Sequence, residues 1–376
     1  MKVVHIITGL GDGGAEHALF KICKYDISNK HFVISLKGPG KYFSLLNKLG
    51  IKVYCLNVNF FSIIKFISFI KLLRFLKPDI VQTWLVHADF IGGIAARLAG
   101  INNIFWNIRY SNIEIGKAKL TTVIIIKILS ILSYFIPKFI ITVSKKAKKI
   151  YEKIGYNGKI IKFIPNGYDL SILKINKHQK TNFKKKIKIK KEIPLIGKVA
   201  RFDPQKDHLN LLSALSLIRS KNINFLCVLV GFNMNKKNIN LMSDIKRLKL
   251  TNHVKLLGQN DDISEVMNGL DLHILSSSYG EGFPNVVAES MACGTPCVVT
   301  DVGDSGLVVG KTGWIVPPKN PVKLARAIEN ALYEKGSNKW NKRCKKARLR
   351  IMQNFSIGNM IKLYDKSWNR VYKNNH

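Results

Sequence analysis

Short apolar, β-rich runs alternate with longer helical stretches along this chain, and that alternation restricts its fold more than any other feature. In the first half the runs are Val3–Thr8, Phe32–Leu36, Val53–Leu56, Ile80–Thr83, Ile104–Ile108, Phe139–Val143 and Ile161–Ile164. Strand-length runs separated by helix-length crossovers predict a parallel sheet. The pattern breaks at Lys174–Lys191, which holds nine lysines and no acid and reads as a solvated linker. It resumes with Leu195–Ala200, Phe225–Val230, Val254–Leu257, Leu272–Leu275 and Pro296–Thr300, with helices at Leu209–Ser220 and Val286–Ala292 and helix from Pro321 onward. The expectation is an α/β chain of two doubly wound parallel-sheet (Rossmann-like) domains. They span 1–170 and 193–355, with a linker over 171–192 and a C-terminal helix, 356–372, packing back on the first. At 376 residues there is enough chain for two such cores. Ligands in open parallel sheets sit beyond the carboxyl ends of the strands, so a central cleft would join two such edges.

The charge is unusual: 61 Lys+Arg against 23 Asp+Glu, a formal +38. Lysine supplies 50 of the basic residues and arginine 11, and the charge divides as +17 through Leu170 and +21 after it. No single basic face is visible in that division. Compositional drift toward lysine, an anionic membrane surface and nucleic acid all remain readings of it. No stacked-aromatic or other nucleic-acid motif supports the last.

The six cysteines, at 23, 55, 227, 293, 297 and 344, form no CxxC pair, and buried thiols of a cytoplasmic protein are expected. The first residues read as a core strand and not as a signal peptide. No apolar run reaches 18 residues. Two segments come nearest, Phe60–Leu76 with Lys65, Lys71 and Arg74, and Leu120–Ile141 with Lys127. Each fits a crossover helix packed on the core; each also fits an interfacial helix whose basic heads reach anionic lipid.

After the first strand, Gly9-Leu10-Gly11-Asp12-Gly13-Gly14 matches GxGxxG. A dinucleotide site also needs an acid at the end of the next strand, to hold ribose hydroxyls. That strand, Phe32–Gly38, has none. A glycine loop able to approach some other phosphate remains.

The densest constellation is Ser276-Ser277-Ser278-Tyr279-Gly280-Glu281-Gly282-Phe283-Pro284-Asn285, followed by Val286, Val287 and Glu289. A strand ends at the serines, and Pro284 is suited to open a helix. Glu281 then stands in a glycine-flanked loop and Glu289 on the second helical turn. The amides of Asn285, Val286 and Val287 would be free for an anion. Arg201 and Lys206, in Arg201-Phe202-Asp203-Pro204-Gln205-Lys206, follow the second domain's first strand and would neutralise a diphosphate electrostatically. This layout suits a nucleotide-sugar.

Gly13-Gly14-Ala15-Glu16, Pro165-Asn166-Gly167, Arg201 with Lys206, Gly231 and the Glu281-x7-Glu289 loop resemble retaining glycosyltransferases of the GT-B fold, family 4 (group 1). The resemblance covers nearly the whole chain. It implies retaining, metal-independent transfer of a hexose or N-acetylhexosamine from a nucleotide-sugar, which is a co-substrate, with no cofactor. It further implies front-face attack, the leaving phosphate accepting the acceptor's proton. By the same resemblance Glu281, Arg201 and Lys206 are catalytic. Gly14, Gly231, Gly258, Asp261, Phe283, Pro284, Asn285, Val286 and Glu289 bind donor, Glu289 on the ribose. On the acceptor side, Tyr110 follows Arg109 where many members place a histidine, and His87 could face the acceptor or simply belong to a helix start. The resulting expectation is a peripheral enzyme on the cytoplasmic face of the plasma membrane. It would build a bacterial surface polysaccharide, lipopolysaccharide or capsule, on a polyprenyl-diphosphate-linked saccharide. A nucleotide-sugar epimerase or hydrolase on the same scaffold, and a basic nucleic-acid-binding protein, are the rival readings.

Overall fold

The computed structural model describes residues 1–57, 63–109, 120–189 and 192–373. These fall into two compact units, Met1–Gly167 with Ile357–His376, and Tyr168–Ser356.

The first unit runs β1 (Lys2–Ile7), α1 (Gly14–Tyr25), β2 (Lys30–Ser35), α2 (Lys41–Lys48), β3 (Lys52–Cys55), α3 (Ile63–Leu76), β4 (Ile80–Trp84), α4 (Val86–Leu98), β5 (Ile104–Ile108), α5 (Leu120–Leu132), β6 (Phe139–Thr142), α6 (Lys145–Ile154) and β7 (Ile161–Phe163). Its seven strands are all parallel, in the order β3-β2-β1-β4-β5-β6-β7. Strand residues alternate between faces, so one sequence run feeds two cores. Val4, Ile6, Trp106 and Ile140 pack under α3, α4 and α5, while Val3, Ile7, Phe105 and Ile141 pack on the opposite face with Ala18, Leu19 and Ile22 of α1. Both faces being covered is why these strands read as continuous apolar runs. The helix α6 shows how local chemistry sets an end: Ser144 Oγ accepts from the Ala147 amide at 3.1 Å, and Gly155 closes the helix in the left-handed region.

The second unit runs α7 (Lys177–Lys186), β8 (Leu195–Val199), α8 (His208–Ser220), β9 (Leu226–Val230), α9 (Ile239–Arg247), β10 (Val254–Gly258), α10 (Ile263–Gly269), β11 (Leu272–Leu275), α11 (Asn285–Ala292), β12 (Cys297–Thr300), α12 (Ser305–Val309), β13 (Trp314–Val316), α13 (Pro321–Glu334) and α14 (Asn338–Asn354). Six parallel strands lie in the order β10-β9-β8-β11-β12-β13. The last helix, α15 (Ile357–Tyr372), belongs to the first unit. There Tyr364 stacks on Trp84 at 6.5 Å, and Trp368 donates to Gln82 Oε1 at 3.2 Å. Trp84, Trp106 and Trp368 are fully buried, each worth about 1.5–3 kcal/mol in removed apolar surface.

Two expectations change. The stretch read as a solvated linker forms α7, whose Phe183 is buried against Gly269 of α10. Its lysines take their counter-charges from elsewhere: Lys180 and Lys184 from Asp271 at 2.8 and 3.1 Å, Lys186 from Glu265 at 2.6 Å. Lysine is a good helix former with an apolar stem, and partners remote in sequence cannot be seen in a local charge count. The edge strand β13, three residues long, lay below the length at which a run is visible. Among the described residues no helix is long and apolar enough to cross a membrane.

Candidate functional site

In the second unit the loops at the carboxyl ends of β8, β9, β10 and β11 are tied into one rim. The amide of Phe202 donates to Phe232 O at 2.9 Å, and that of Gly231 to Gly258 O at 2.7 Å. Gly231 has φ +142°, and a Cβ there would lie 2.1 Å from Ala200 O, so only glycine permits this approach of the β8 and β9 loops. The Ser278 amide donates to Gln205 O at 3.0 Å, joining the glycine-flanked loop to the turn at Pro204–Lys206. Thus Arg201, Lys206, Gly231, Gly258 and Glu281, spread over 80 residues of sequence, are brought to one edge.

At its centre Lys206 Nζ sits 2.6 Å from Glu281 Oε1, and Ser277 Oγ donates to the same oxygen at 2.6 Å. Both donors bond Oε1, and Oε2 has no hydrogen-bond partner among the described residues. The Glu281 side chain is 8% exposed and that of Lys206 16%. Beneath them lies Lys198, which the sequence reading missed. Fully buried, it donates to Ser276 Oγ at 2.6 Å and to Lys206 O. Burial pulls its ammonium down to about 7, against the opposing pull of Asp207 and Glu281. A lysine inside the apolar run Leu195–Val199 was the available signal. Arg201 differs from Lys206: it is exposed, and its Nε lies 3.1 Å from Asp203 Oδ2.

Pro284 stands just before α11 as its cap residue. The Val287 amide, expected free, donates to Pro284 O at 3.2 Å, because the helix opens in a tight turn. Asn285 Oδ1 accepts from Tyr168 Oη at 2.6 Å, and Phe283 is buried between Tyr168 and Phe355. Val286 and Glu289 are half-buried, Glu289 on the second turn; Asp261 is exposed in the loop before α10. Two buried histidines lie nearby, His208 at the start of α8 and His273 within β11. His208 is lowered to about 2 and His273 to about 3 by burial, with Lys198 adding to both.

In the first unit Gly14 is the first residue of α1, and a Cβ there would meet nothing within 4 Å. Among the described residues no contact requires glycine at that position. His87 lies in the first turn of α4, half-buried, with its pKa lowered by burial and by Lys37. Just before it Leu85 has φ +75°, a conformation costing a non-glycine residue about 1–3 kcal/mol and concentrated at functional positions. Arg109, expected on the acceptor side, is held by side chains of the first unit. It donates to Asn107 Oδ1 at 2.9 Å, to Tyr364 Oη at 3.0 Å and to Asn166 Oδ1, and lies over Trp84. Tyr110 lies outside the described residues.

His5, Cys23 and His31 form a buried cluster of metal-ligating atom types. Its hydrogen bonds fix the tautomers. Trp84 Nε1 can only donate, and it donates to His5 Nδ1 at 3.2 Å; His5 therefore carries its proton on Nε2 and gives it to His31 Nδ1 at 3.0 Å. His31 Nε2 then faces Asp26 Oδ2 at 3.2 Å. Both nitrogens of His5 and Nδ1 of His31 are thus engaged in one directed chain of hydrogen bonds within the core.

The family model described as "Glycosyl transferases group 1" matches residues 179–350. The Escherichia coli UDP-Gal:alpha-D-GlcNAc-diphosphoundecaprenol alpha-1,3-galactosyltransferase is 29% identical over 323 residues, covering 83% of this chain and 80% of that protein. The Campylobacter jejuni N,N'-diacetylbacillosaminyl-diphospho-undecaprenol alpha-1,3-N-acetylgalactosaminyltransferase is 26% identical over 383 residues, covering 95% and 96%. Among solved structures, Anabaena HepE in complex with UDP has a TM-score of 0.87 at 21% identity, covering 98% of this chain and 100% of that one. The two parallel-sheet units and this likeness give the chain the GT-B fold. The matched family model, the relatives and the fold together support a group 1 glycosyltransferase.

Proposed function

We propose that this chain transfers a hexose or N-acetylhexosamine, with retention and without a metal, from a nucleotide-sugar to a polyprenyl-diphosphate-linked saccharide. The reading rests first on the paired Lys206 and Glu281 at the carboxyl edge of the second sheet. In the transfer the bond from sugar C1 to the leaving phosphate oxygen breaks, and an acceptor hydroxyl oxygen bonds to C1. The hydroxyl proton passes to the departing nucleoside diphosphate. Lys206 and Arg201 stabilise the charge growing on that group, as a metal would otherwise do. Glu281 orients sugar hydroxyls through Oε2, and Glu289 takes the ribose. Two relatives named for diphosphoundecaprenol-linked substrates favour the lipid-linked acceptor, and with it synthesis of a surface polysaccharide on the cytoplasmic face of the membrane.

The first unit is the acceptor half in this reading, with His87 beside the acceptor. Its α3 and α5 favour an anionic membrane surface as partner: Ile64, Phe75, Ile131 and Phe135 are 79, 80, 65 and 70% exposed. Lys65, Lys71, Arg74 and Lys127 accompany them, and residues 63–77 and 120–138 contain no acid. The test is a panel of UDP-, GDP- and ADP-sugars with a short polyprenyl-diphosphate saccharide, in buffer containing EDTA. A glycosylated acceptor with an anomeric centre matching the donor is expected. Free sugar or an epimer formed equally well without acceptor would overturn the transferase reading.

A further inference from the structure

At the opposite, amino-terminal edge of the second sheet lies a cavity of about 610 Å³. Its charge has no part in the site described above. One wall is a single face of α7: Lys177, Lys180, Thr181, Lys184 and Lys185 fall at i, i+3, i+4, i+7 and i+8. Lys335 and Trp340 form the facing wall. Five lysines thus line a cavity with one carboxylate, Asp271, which is 4% exposed and already accepts the Leu195 amide at 2.9 Å. Lys180, Lys184 and Lys335 lie 2.8, 3.1 and 3.8 Å from its oxygens. One negative charge cannot compensate three, and Lys184 is itself nine-tenths buried. Lys177 and Lys185 carry no ion pair among the described residues. Lys177 also stands at the first position of α7, where the helix dipole disfavours a cation. Mutually repelling cations gathered in a concavity hold a strong positive potential, which desolvation deepens.

We propose that this cavity is a binding site for a multiply phosphorylated small molecule, whose phosphates replace the missing counter-charge on the α7 face. Its volume admits a nucleotide, and Trp340 offers a wall on which a base can lie. The shared chemistry is a run of phosphates, supplied either by inorganic polyphosphate or by a nucleoside polyphosphate. The site stands apart from the transferase reading, since none of its residues belongs to that machinery.

The experiment is calorimetric titration of the full chain with inorganic triphosphate and with ATP, in buffer of physiological salt. Four proteins are compared: wild type, Lys177→Ala/Lys185→Ala, Trp340→Leu, and a charge-matched control, Lys48→Ala/Lys52→Ala, in the first unit. All four replaced lysines are exposed, so folding is preserved. Saturable binding at one site per chain is expected, weakened at least tenfold in the α7 variant and unchanged in the control. Tighter binding of ATP that Trp340→Leu abolishes assigns the site to a nucleoside polyphosphate; equal affinity for both probes assigns it to polyphosphate. Equal weakening in both double variants, binding untouched by the α7 change, or no saturable binding overturns the proposal.

Discussion

Replacing Lys206 by methionine keeps most of the side-chain volume and deletes the ammonium that faces Glu281. The carboxylate is then left 8% exposed with Ser277 as its remaining hydrogen-bond donor. Breaking a buried ion pair by removing one member costs about 3–5 kcal/mol, most of it the stranded charge. Because the Lys206 side chain is 16% exposed, water can approach, and the lower end, about 3 kcal/mol, is expected. For a unit the size of Tyr168–Ser356 that lowers its melting temperature by about 6–12 °C. Glu281→Gln should cost about 1 kcal/mol, since the amide oxygen still accepts from Ser277 and Lys206 can turn toward water. The double variant Lys206→Met/Glu281→Gln then recovers about 2 kcal/mol over Lys206→Met, because no charge is stranded. Calorimetric melting of the four proteins measures this cycle. Turnover should behave differently: the loss of Lys206 lowers kcat about a hundredfold, by analogy with deletion of an oxyanion-hole donor, and the double variant does not restore it. A Lys206→Met protein melting within a degree of wild type would show that the two side chains are not coupled. Recovery of turnover together with stability would reduce Lys206 to a scaffold.

Lys198 gives a pH test: its folded pKa is about 7 against about 10.5 when unfolded, so between those values the unfolded chain holds more protons. Stability of the second unit should therefore rise across that window by at most about 1.4 kcal/mol per pH unit, and the rise should shrink in Lys198→Met, followed by denaturation at pH 7 and pH 9. His273, held near 3 by burial with Nε2 lacking a partner, penalises the fold as pH drops below 6.5. His273→Leu should flatten acid unfolding of that unit between pH 6 and 4, and an unchanged acid midpoint would argue against a buried neutral imidazole. Phe75→Ser/Phe135→Ser should lower the fraction of protein floating with vesicles of anionic lipid at least fivefold without changing the melting temperature. Equal flotation of both proteins would remove that face from membrane contact.

What could be read in the sequence depended on how locally each feature is encoded. Ile104–Ile108 and Leu272–Leu275 were located to the residue because a strand buried on both faces announces itself in four or five consecutive apolar-flanked side chains. The Glu281 loop could be placed between a strand end and a helix start for a similar reason: its glycines, proline and two carboxylates lie within one short segment. Arg109 could not be read in that way. Its partners, Asn107, Asn166 and Tyr364, are scattered across the chain, and only the fold reveals that its guanidinium bridges the end of β5 and α15. Lys198 left one local mark, a cation inside an apolar run, but its role shows only when its two acceptors, Ser276 Oγ and Lys206 O, are seen to converge on it.

The same reasoning changes how the +38 charge should be viewed. A count of lysines in sequence treats each as equivalent, and on that footing drift in composition accounts for them all. Position separates them. Lys206 faces a buried carboxylate at the carboxyl edge of a sheet, Lys198 lies under it, and Lys184 lines a cavity at the other edge where Asp271 is outnumbered. Drift can place cations on a solvated surface at little cost, but it has no means of holding three of them against one buried acid. Lys184, the buried one, has Asp271 at 3.1 Å, while Lys180 and Lys335 keep part of their side chains in water, so the surplus positive charge of the cluster faces whatever enters the cavity. The lysines to replace first are therefore those with too few acids near them, not those in the densest run.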